Sequence, residues 1–198
     1  MTSSARRSVV LRLVTAFVIG FVSLTLEIAY TRVVSFKLFY YYTYFVIGLA
    51  LLGLGAASAF MSLSNRLRSL DTVRLVQRVA PAAALVGVLG YAVVARLATD
   101  VNLIWTGTIK AALWQLVLLL VLSVSITGVF FAVGILFAAL VVNQAEQVRR
   151  LYFWDLAGAA LGCLIAVPLE SSLGPPAMIL VSVVVLAALA LVMALAEG

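Results

Sequence analysis

The stretch that decides the fold is residues 112–141, ALWQLVLLLVLSVSITGVFFAVGILFAALV, which contains no charged side chain. As a helix it would measure about 45 Å, whereas the hydrocarbon core of a bilayer is about 30 Å thick. The stretch therefore predicts a membrane-spanning helix that tilts, projects or bends, with Gly128 and Gly134 as its flexible points. Runs such as residues 117–123 and 181–196 do not alternate in polarity, which argues against a β-barrel.

The composition of the whole chain extends this prediction to the rest of the sequence. Of the 198 residues, 66% are hydrophobic and 10% are charged, whereas soluble domains carry about half and about a quarter. This excludes a soluble globular domain, a disordered chain and a coiled coil. Because there is no His and only one Cys, the sequence also excludes His-ligated haem, His-metal sites, Ser-His or Cys-His catalysis and disulfides. We therefore expect no metal, no cofactor and no catalytic residues.

Each crossing needs about 20 mostly apolar residues, and the sequence offers six such stretches. The predicted fold is an all-α, polytopic membrane helix bundle that forms a single domain over residues 1–198. The longest polar linker, 64–78, fits either a basic helix on the membrane surface or a solvated loop. The predicted spans are 11–33, 38–62, 79–98, 112–141, 152–170 and 176–196.

The basic residues predict the orientation, because Lys and Arg concentrate in cytoplasmic loops. Four of the 13 basic residues lie on the side opposite the termini: Arg32, Lys37, Arg96 and Lys110. The other nine lie on the side that holds both termini, namely Arg6, Arg7, Arg12, Arg66, Arg68, Arg74, Arg78, Arg149 and Arg150. We therefore expect both termini to be cytoplasmic. The net charge of +6 reflects this bias, and no nucleic-acid partner is expected.

Several polar residues are predicted at one depth, near the non-cytoplasmic ends of the helices. Glu27 and Arg32 are five residues apart, so they lie on different faces of one helix and need other partners. One interpretation is a polar pocket that opens outward. The other is a buried Glu–Arg bridge beside an ordinary belt formed by the tyrosines at 40–44. The predicted cluster is Glu27, Arg32, Arg96, Gln115, Tyr41 and Tyr44, with Glu170 at the same depth.

Asp155 is predicted near the cytoplasmic end of the fifth span. A carboxylate in the first turn of a helix is stabilised by the helix dipole, so capping explains Asp155 without a function. The alternative is a role in a proton or substrate path.

Small residues four positions apart predict close helix contacts in the second and fifth spans, because they allow backbones to approach in lipid. We expect the lone Cys163 to be a small packing residue. The pairs are Gly53 with Ala57, Gly55 with Ala59, and Gly158 with Gly162.

Two stretches together carry a family resemblance: LEIAYTRVVSF at 26–36 followed by VIGLALLGLGAASAF at 46–60, and RLYFWDLAGAALGCLIAVPLESSLGPP at 150–176. The second contains Tyr-x-x-Asp-x-x-Gly-Ala-x-x-Gly, formed by Tyr152, Asp155, Gly158, Ala159 and Gly162. Both resemble the membrane region of bacterial spermidine synthase-like proteins, in which helices precede an aminopropyltransferase-like domain. A family segment with Pro-Phe-Phe has Val129 in place of its proline here.

The resemblance implies a bacterial inner-membrane location, but the transferase domain of that family has no counterpart in these 198 residues. We therefore do not expect aminopropyl transfer by this polypeptide alone, whether it is part of a longer enzyme or a separate subunit. The expected function is a non-catalytic membrane scaffold or anchor that oligomerises or binds a protein on its cytoplasmic side. The alternative is a small transporter or channel subunit for a cation or polyamine, using Glu27, Asp155 and the tyrosine face at 40–44. An intramembrane enzyme is the weakest possibility.

Overall fold

The computed structural model describes residues 3–40, 42–64, 72–143 and 147–197, and helices make up nearly all of them. Six of these helices are long and one is a single turn. No strand occurs in these ranges. The helices are α1 (Ser3–Lys37), α2 (Tyr42–Leu63), α3 (Thr72–Arg96), α4 (Leu103–Thr106), α5 (Ile109–Asn143), α6 (Val148–Leu173) and α7 (Pro175–Glu197).

The six long helices are long and apolar enough to cross a membrane, so the chain is a multi-pass membrane helix bundle. Helix-to-helix contacts show that consecutive long helices alternate in direction. The start of α1, the end of α2, the start of α3, the end of α5, the start of α6 and the end of α7 therefore lie at one face. We call it the terminal face and the other end of the bundle the opposite face.

The start of α3 differs from the prediction, since the helix begins at Thr72 and not near residue 79. Leu75 and Val76 are fully buried, and the Gln77 Nε2 donates to the carbonyl oxygen of Met193 in α7 at 2.9 Å. These contacts hold the polar first turns of α3 in the bundle. The rest of the predicted linker, residues 65–71, lies outside the described residues, so the surface-helix and solvated-loop interpretations both stay predictions there.

Helix α1 occupies the centre of the bundle and packs against α2, α6 and α7, while α5 packs against α2 and α3. Its fully buried side chains include Leu26 and Tyr30, and the Tyr30 ring meets Phe130 of α5 edge-on at 6.3 Å. Helix α6 packs mainly on α1 and barely touches α5. A gap therefore remains between α6 and the pair formed by α2 and α5.

Glycines bring α1 and α6 into backbone contact. A Cβ atom on Gly158 would overlap the carbonyl oxygen of Phe17, and one on Gly20 would overlap that of Asp155. At Gly162 the nearest atom would be the Phe21 carbonyl oxygen, at 2.8 Å. Gly158 and Gly162 thus lie on the α1 side of α6, which is the arrangement that small residues permit in lipid.

The second span divides its small residues between two faces. Gly53 lies against the backbone of α5 at Thr127, and Ala57 meets Gly134 of α5. Gly134 is therefore a packing position within a continuous helix and not a flexible break. The prediction that Gly55 and Ala59 make tight contacts is wrong within the chain, because both lie on the exposed face of α2. Cys163 is likewise exposed, on the side of α6 away from α1, and does not pack.

The first third of helix α5, at the opposite face, is largely exposed, as Ile109, Leu113 and Trp114 show. One buried residue in this segment, Gln115, is bonded to the link that follows α3. The Gln115 Oε1 accepts a hydrogen bond of 3.0 Å from the Asp100 backbone N–H. The link and α4 thus fold back along the start of α5.

Candidate functional site

The structure separates the members of the predicted polar cluster. Arg32 does not pair with Glu27. Its Nε lies 3.5 Å from Oε1 of Glu170 at the end of α6, and Arg32 is 60% exposed whereas Glu170 is 10% exposed. This is the Glu–Arg bridge between helices that the sequence allowed, with Glu170 in place of Glu27.

The remaining members of the cluster lie on different sides of the bundle. Arg96 ends α3 with an exposed side chain, and Gln115 is engaged with the Asp100 backbone. Tyr44 is 80% exposed near the start of α2, as expected for a residue at a membrane interface. Tyr41 lies outside the described residues. A single pocket that unites Glu27, Arg32, Arg96 and the tyrosines is therefore not formed by the described residues.

Lys37 has a structural role that the sequence did not reveal. It ends α1, and its Nζ donates to the carbonyl oxygens of Val94, Ala95 and Leu97 at 2.5, 2.9 and 2.8 Å. The last carbonyls of a helix lack intrahelical partners, and a cation there also complements the helix dipole. Lys37 therefore caps α3. The sequence signal for this role was a lysine after the first apolar span. The count of basic residues assigned Lys37 only to a loop.

Asp155 lies about two turns into α6, which begins at Val148, so helix capping does not account for it. This corrects the first interpretation of the residue. The carboxylate points toward α1, since its Oδ1 lies 2.8 Å from the position that a Cβ on Gly20 would take. Among the described residues, no Lys or Arg nitrogen lies within 4 Å of it.

Asp155 lines a cavity of about 340 Å³ in the gap between α6 and the pair formed by α2 and α5. The cavity lies in the half of the bundle nearer the terminal face. Its polar side chains are Asp155, Ser23 of α1 and Ser58 of α2. The other lining residues are Ile19, Leu51, Leu54, Gly55, Gly134 and Phe137.

Gly55 now has an identifiable role, because nothing lies within 4 Å of where its Cβ would be. The absent side chain leaves open space in the cavity. Ser58 donates its hydroxyl hydrogen to the Leu54 carbonyl oxygen at 3.1 Å, so its oxygen lone pairs remain able to accept. The site thus combines one carboxylate with hydroxyl oxygens in mostly apolar walls.

Glu27 extends this polar region toward the opposite face. It lies four residues after Ser23 on the same face of α1, and about 10 Å along the helix axis from the Gly20 level where Asp155 sits. Glu27 is half-buried, and no ion pair of its carboxylate with a described cation occurs. The four-residue spacing of Ser23 and Glu27 was a sequence signal that both lie on one face of α1.

The chemistry of this arrangement favours a cation. A carboxylate with nearby hydroxyl acceptors and low-polarity walls attracts a proton, a monovalent cation or a protonated amine. In the part of the chain that the structure describes, no group of three or more Cys, Asp or Glu side chains is placed to hold a metal ion.

No family model, no curated protein and no solved structure matches this chain. The resemblance to the membrane region of spermidine synthase-like proteins consequently rests on the quoted motifs alone and stays a prediction.

Proposed function

We propose that this membrane protein binds a small cation, a protonated amine or a monovalent ion, in the cavity beside Asp155 and transports it. One observation carries the proposal: a carboxylate two turns inside a span lines a cavity and has no cation beside it among the described residues. Charged groups are costly within a membrane, and they persist where they act on ions or substrates. The cavity volume of about 340 Å³ falls at the lower end of small-molecule sites, about 300–1,000 Å³.

Glu27 supports transport in addition to binding. It offers a second acidic position about 10 Å nearer the opposite face, beyond Ser23. The Arg32–Glu170 pair lies farther along the same α1–α6 seam, near its outer end. Tyr40, Tyr42 and Tyr44 are not among the described residues that line the cavity, so the tyrosine face at 40–44 does not enter this proposal.

The membrane and the orientation belong to the same proposal. Arginines on the terminal face support a cytoplasmic location for both termini. The motif resemblance supports the bacterial inner membrane and suggests a polyamine among the possible amines. With six crossings, a transporter of the usual twelve-helix size would require a dimer.

Amine binding to the purified protein in lipid nanodiscs tests the proposal. Spermidine and a monoamine, n-butylamine, are titrated by calorimetry against the wild type and the D155N variant. Because Asp155→Asn removes the negative charge with almost no change in volume, we expect affinity to fall at least tenfold. Asp100→Asn is the matched control, since Asp100 is an exposed carboxylate in the link after α3. Equal binding by wild type and D155N would refute the proposal.

Transport is measured separately in proteoliposomes loaded with labelled spermidine. We expect Glu27→Gln to slow the flux more than it weakens equilibrium binding, because Glu27 lies outside the cavity lining. Flux that is unchanged in Glu27→Gln would leave binding standing and remove the proposed path.

A membrane scaffold is the second candidate function, alone or with a soluble partner on the cytoplasmic side. The observation in its favour is the position of α6, which contacts α1 along one face and leaves Phe153, Leu164 and Val167 exposed on others. If the scaffold is the correct function, Asp155→Asn should change oligomer size or stability while amine binding and flux stay undetectable in the wild type. Size-exclusion chromatography with light scattering gives the first readout.

A further inference from the structure

An apolar groove lies on the lipid-facing side of the α1–α6 contact, close to the terminal face. It has a volume of about 280 Å³ and only apolar side chains line it: Val10, Leu13, Val14, Phe17 and Trp154. The Trp154 ring meets Phe17 edge-on, with centroids 6.2 Å apart, and forms one wall. Val10 and Val14 are about half exposed, so the groove opens toward the surrounding lipid.

Two arginines lie in the first turn of α6, on the terminal-face side of this groove. Arg150 precedes Trp154 by four residues, so it lies on the same face of α6 and about 6 Å nearer the terminal face. Arg149 is its neighbour in the first turn, and both side chains are exposed. Neither forms an ion pair with a described carboxylate. Even with Glu146, which lies outside the described residues, the segment 144–150 is net positive.

We propose that this groove is a binding site for an anionic phospholipid. The apolar walls accept one acyl chain, and the guanidinium groups of Arg149 and Arg150 bind the headgroup phosphate. Arg geometry suits phosphate because its N–H groups can donate in pairs. Trp154 lies one helical turn from Arg150, and indole rings concentrate at membrane interfaces, where lipid headgroups lie. A zwitterionic lipid would fill the groove equally well but would lack the net charge that the arginines attract.

The site is independent of the Asp155 cavity, because no residue lines both. It lies on the terminal face, so the lipid would come from the leaflet that the arginines contact. A bound lipid there would bridge the start of α1 and the first turns of α6.

Fluorescence quenching by brominated lipids tests the proposal in detergent-solubilised full-length protein. Replacing Trp105 and Trp114 by Phe leaves Trp154 as the remaining tryptophan. Phosphatidylglycerol and phosphatidylcholine with identical 6,7-dibrominated chains are titrated in parallel. We expect phosphatidylglycerol to quench Trp154 at a concentration about tenfold lower than phosphatidylcholine.

The double substitution Arg149→Gln and Arg150→Gln should abolish this preference while quenching by phosphatidylcholine stays unchanged. The matched control is Arg74→Gln with Arg78→Gln, two exposed arginines near the terminal face on α3, which should keep the preference. Equal quenching by the two lipids in the wild type would overturn the proposal, and this result does not depend on how any arginine variant folds. A preference that survives in the R149Q/R150Q protein, or disappears in the α3 control, would also overturn it.

Discussion

At the scale of single residues, the charges near the opposite face stabilise the bundle through specific partners. Lys37 satisfies three carbonyl oxygens at the end of α3. Arg32 and Glu170 connect α1 to the end of α6. Both connections join helices that are distant in the sequence, so they fix how the helix ends at the opposite face are arranged around α1.

Lys37→Met should destabilise the protein by about 2 kcal/mol, because three carbonyl oxygens lose a charged donor. The methionine keeps most of the apolar volume of the side chain. The free energy of unfolding is measured by titration with sodium dodecyl sulfate in mixed micelles. Lys110→Met removes an exposed lysine from the start of α5 and should change stability by no more than about 0.5 kcal/mol. Equal effects of the two substitutions would show that the capping contacts do not matter.

A double-mutant cycle measures the pair formed by Arg32 and Glu170. Because Arg32 is largely exposed, the coupling between Arg32→Gln and Glu170→Gln should be at most about 1 kcal/mol. Losing Arg32 alone leaves the buried Glu170 without its counter-charge, so we expect this single variant to be less stable than the double variant. Strictly additive effects in the same unfolding titration would contradict the pairing.

At the scale of helices, the contact between α1 and α6 depends on the absence of side chains. Gly20, Gly158 and Gly162 let the two backbones touch along several turns. This contact supports one side of the Asp155 cavity, because Asp155 lies on α6 where it meets Gly20. The position of the Asp155 cavity therefore depends on the glycines that let α1 and α6 pack closely.

Gly158→Ala should destabilise the protein by about 1–3 kcal/mol, because the added methyl group overlaps the Phe17 carbonyl oxygen and separates the helices. Gly48→Ala is the matched control, since nothing lies within 4 Å of the added Cβ. That variant should be unchanged or slightly more stable, by up to about 1 kcal/mol, because alanine restricts the unfolded chain. Thermal unfolding followed by circular dichroism compares the two. A Gly158→Ala protein as stable as Gly48→Ala would mean that the helices can separate without cost.

The sequence was sufficient to predict six long helices because the length of an apolar run needs no tertiary information. The sequence could not identify the partner of Arg32. The five-residue spacing excluded Glu27, but no local pattern pointed to Glu170 in another helix. The open space beside Gly55 could not be predicted either, because it depends on the distance between α6 and α2. In lipid, buried and exposed faces are both apolar, so hydrophobic periodicity does not mark the packed side of a helix.

At the scale of the molecule, six crossings place the two termini on one face, and the distribution of arginine predicts that this face is cytoplasmic. Cysteine labelling in intact cells can test the orientation, starting from a Cys163→Ala background. Asn102→Cys, in the link at the opposite face, should react with a membrane-impermeant maleimide. Gln147→Cys, at the terminal face before α6, should react only after the cells are opened. The reverse labelling pattern would invert the orientation.

Because α6 covers the glycine surface of α1, the order in which the two helices are synthesised has a consequence. Lys37 ends α1 and Val148 begins α6, so about 110 residues must be added before the partner of Gly20 emerges. At about 5–20 residues per second, the nascent first helix waits roughly 5–20 s with its glycine surface uncovered. During that interval, lipid or an insertion chaperone must occupy the surface and then leave it. Biogenesis of this bundle therefore includes an exchange step late in translation.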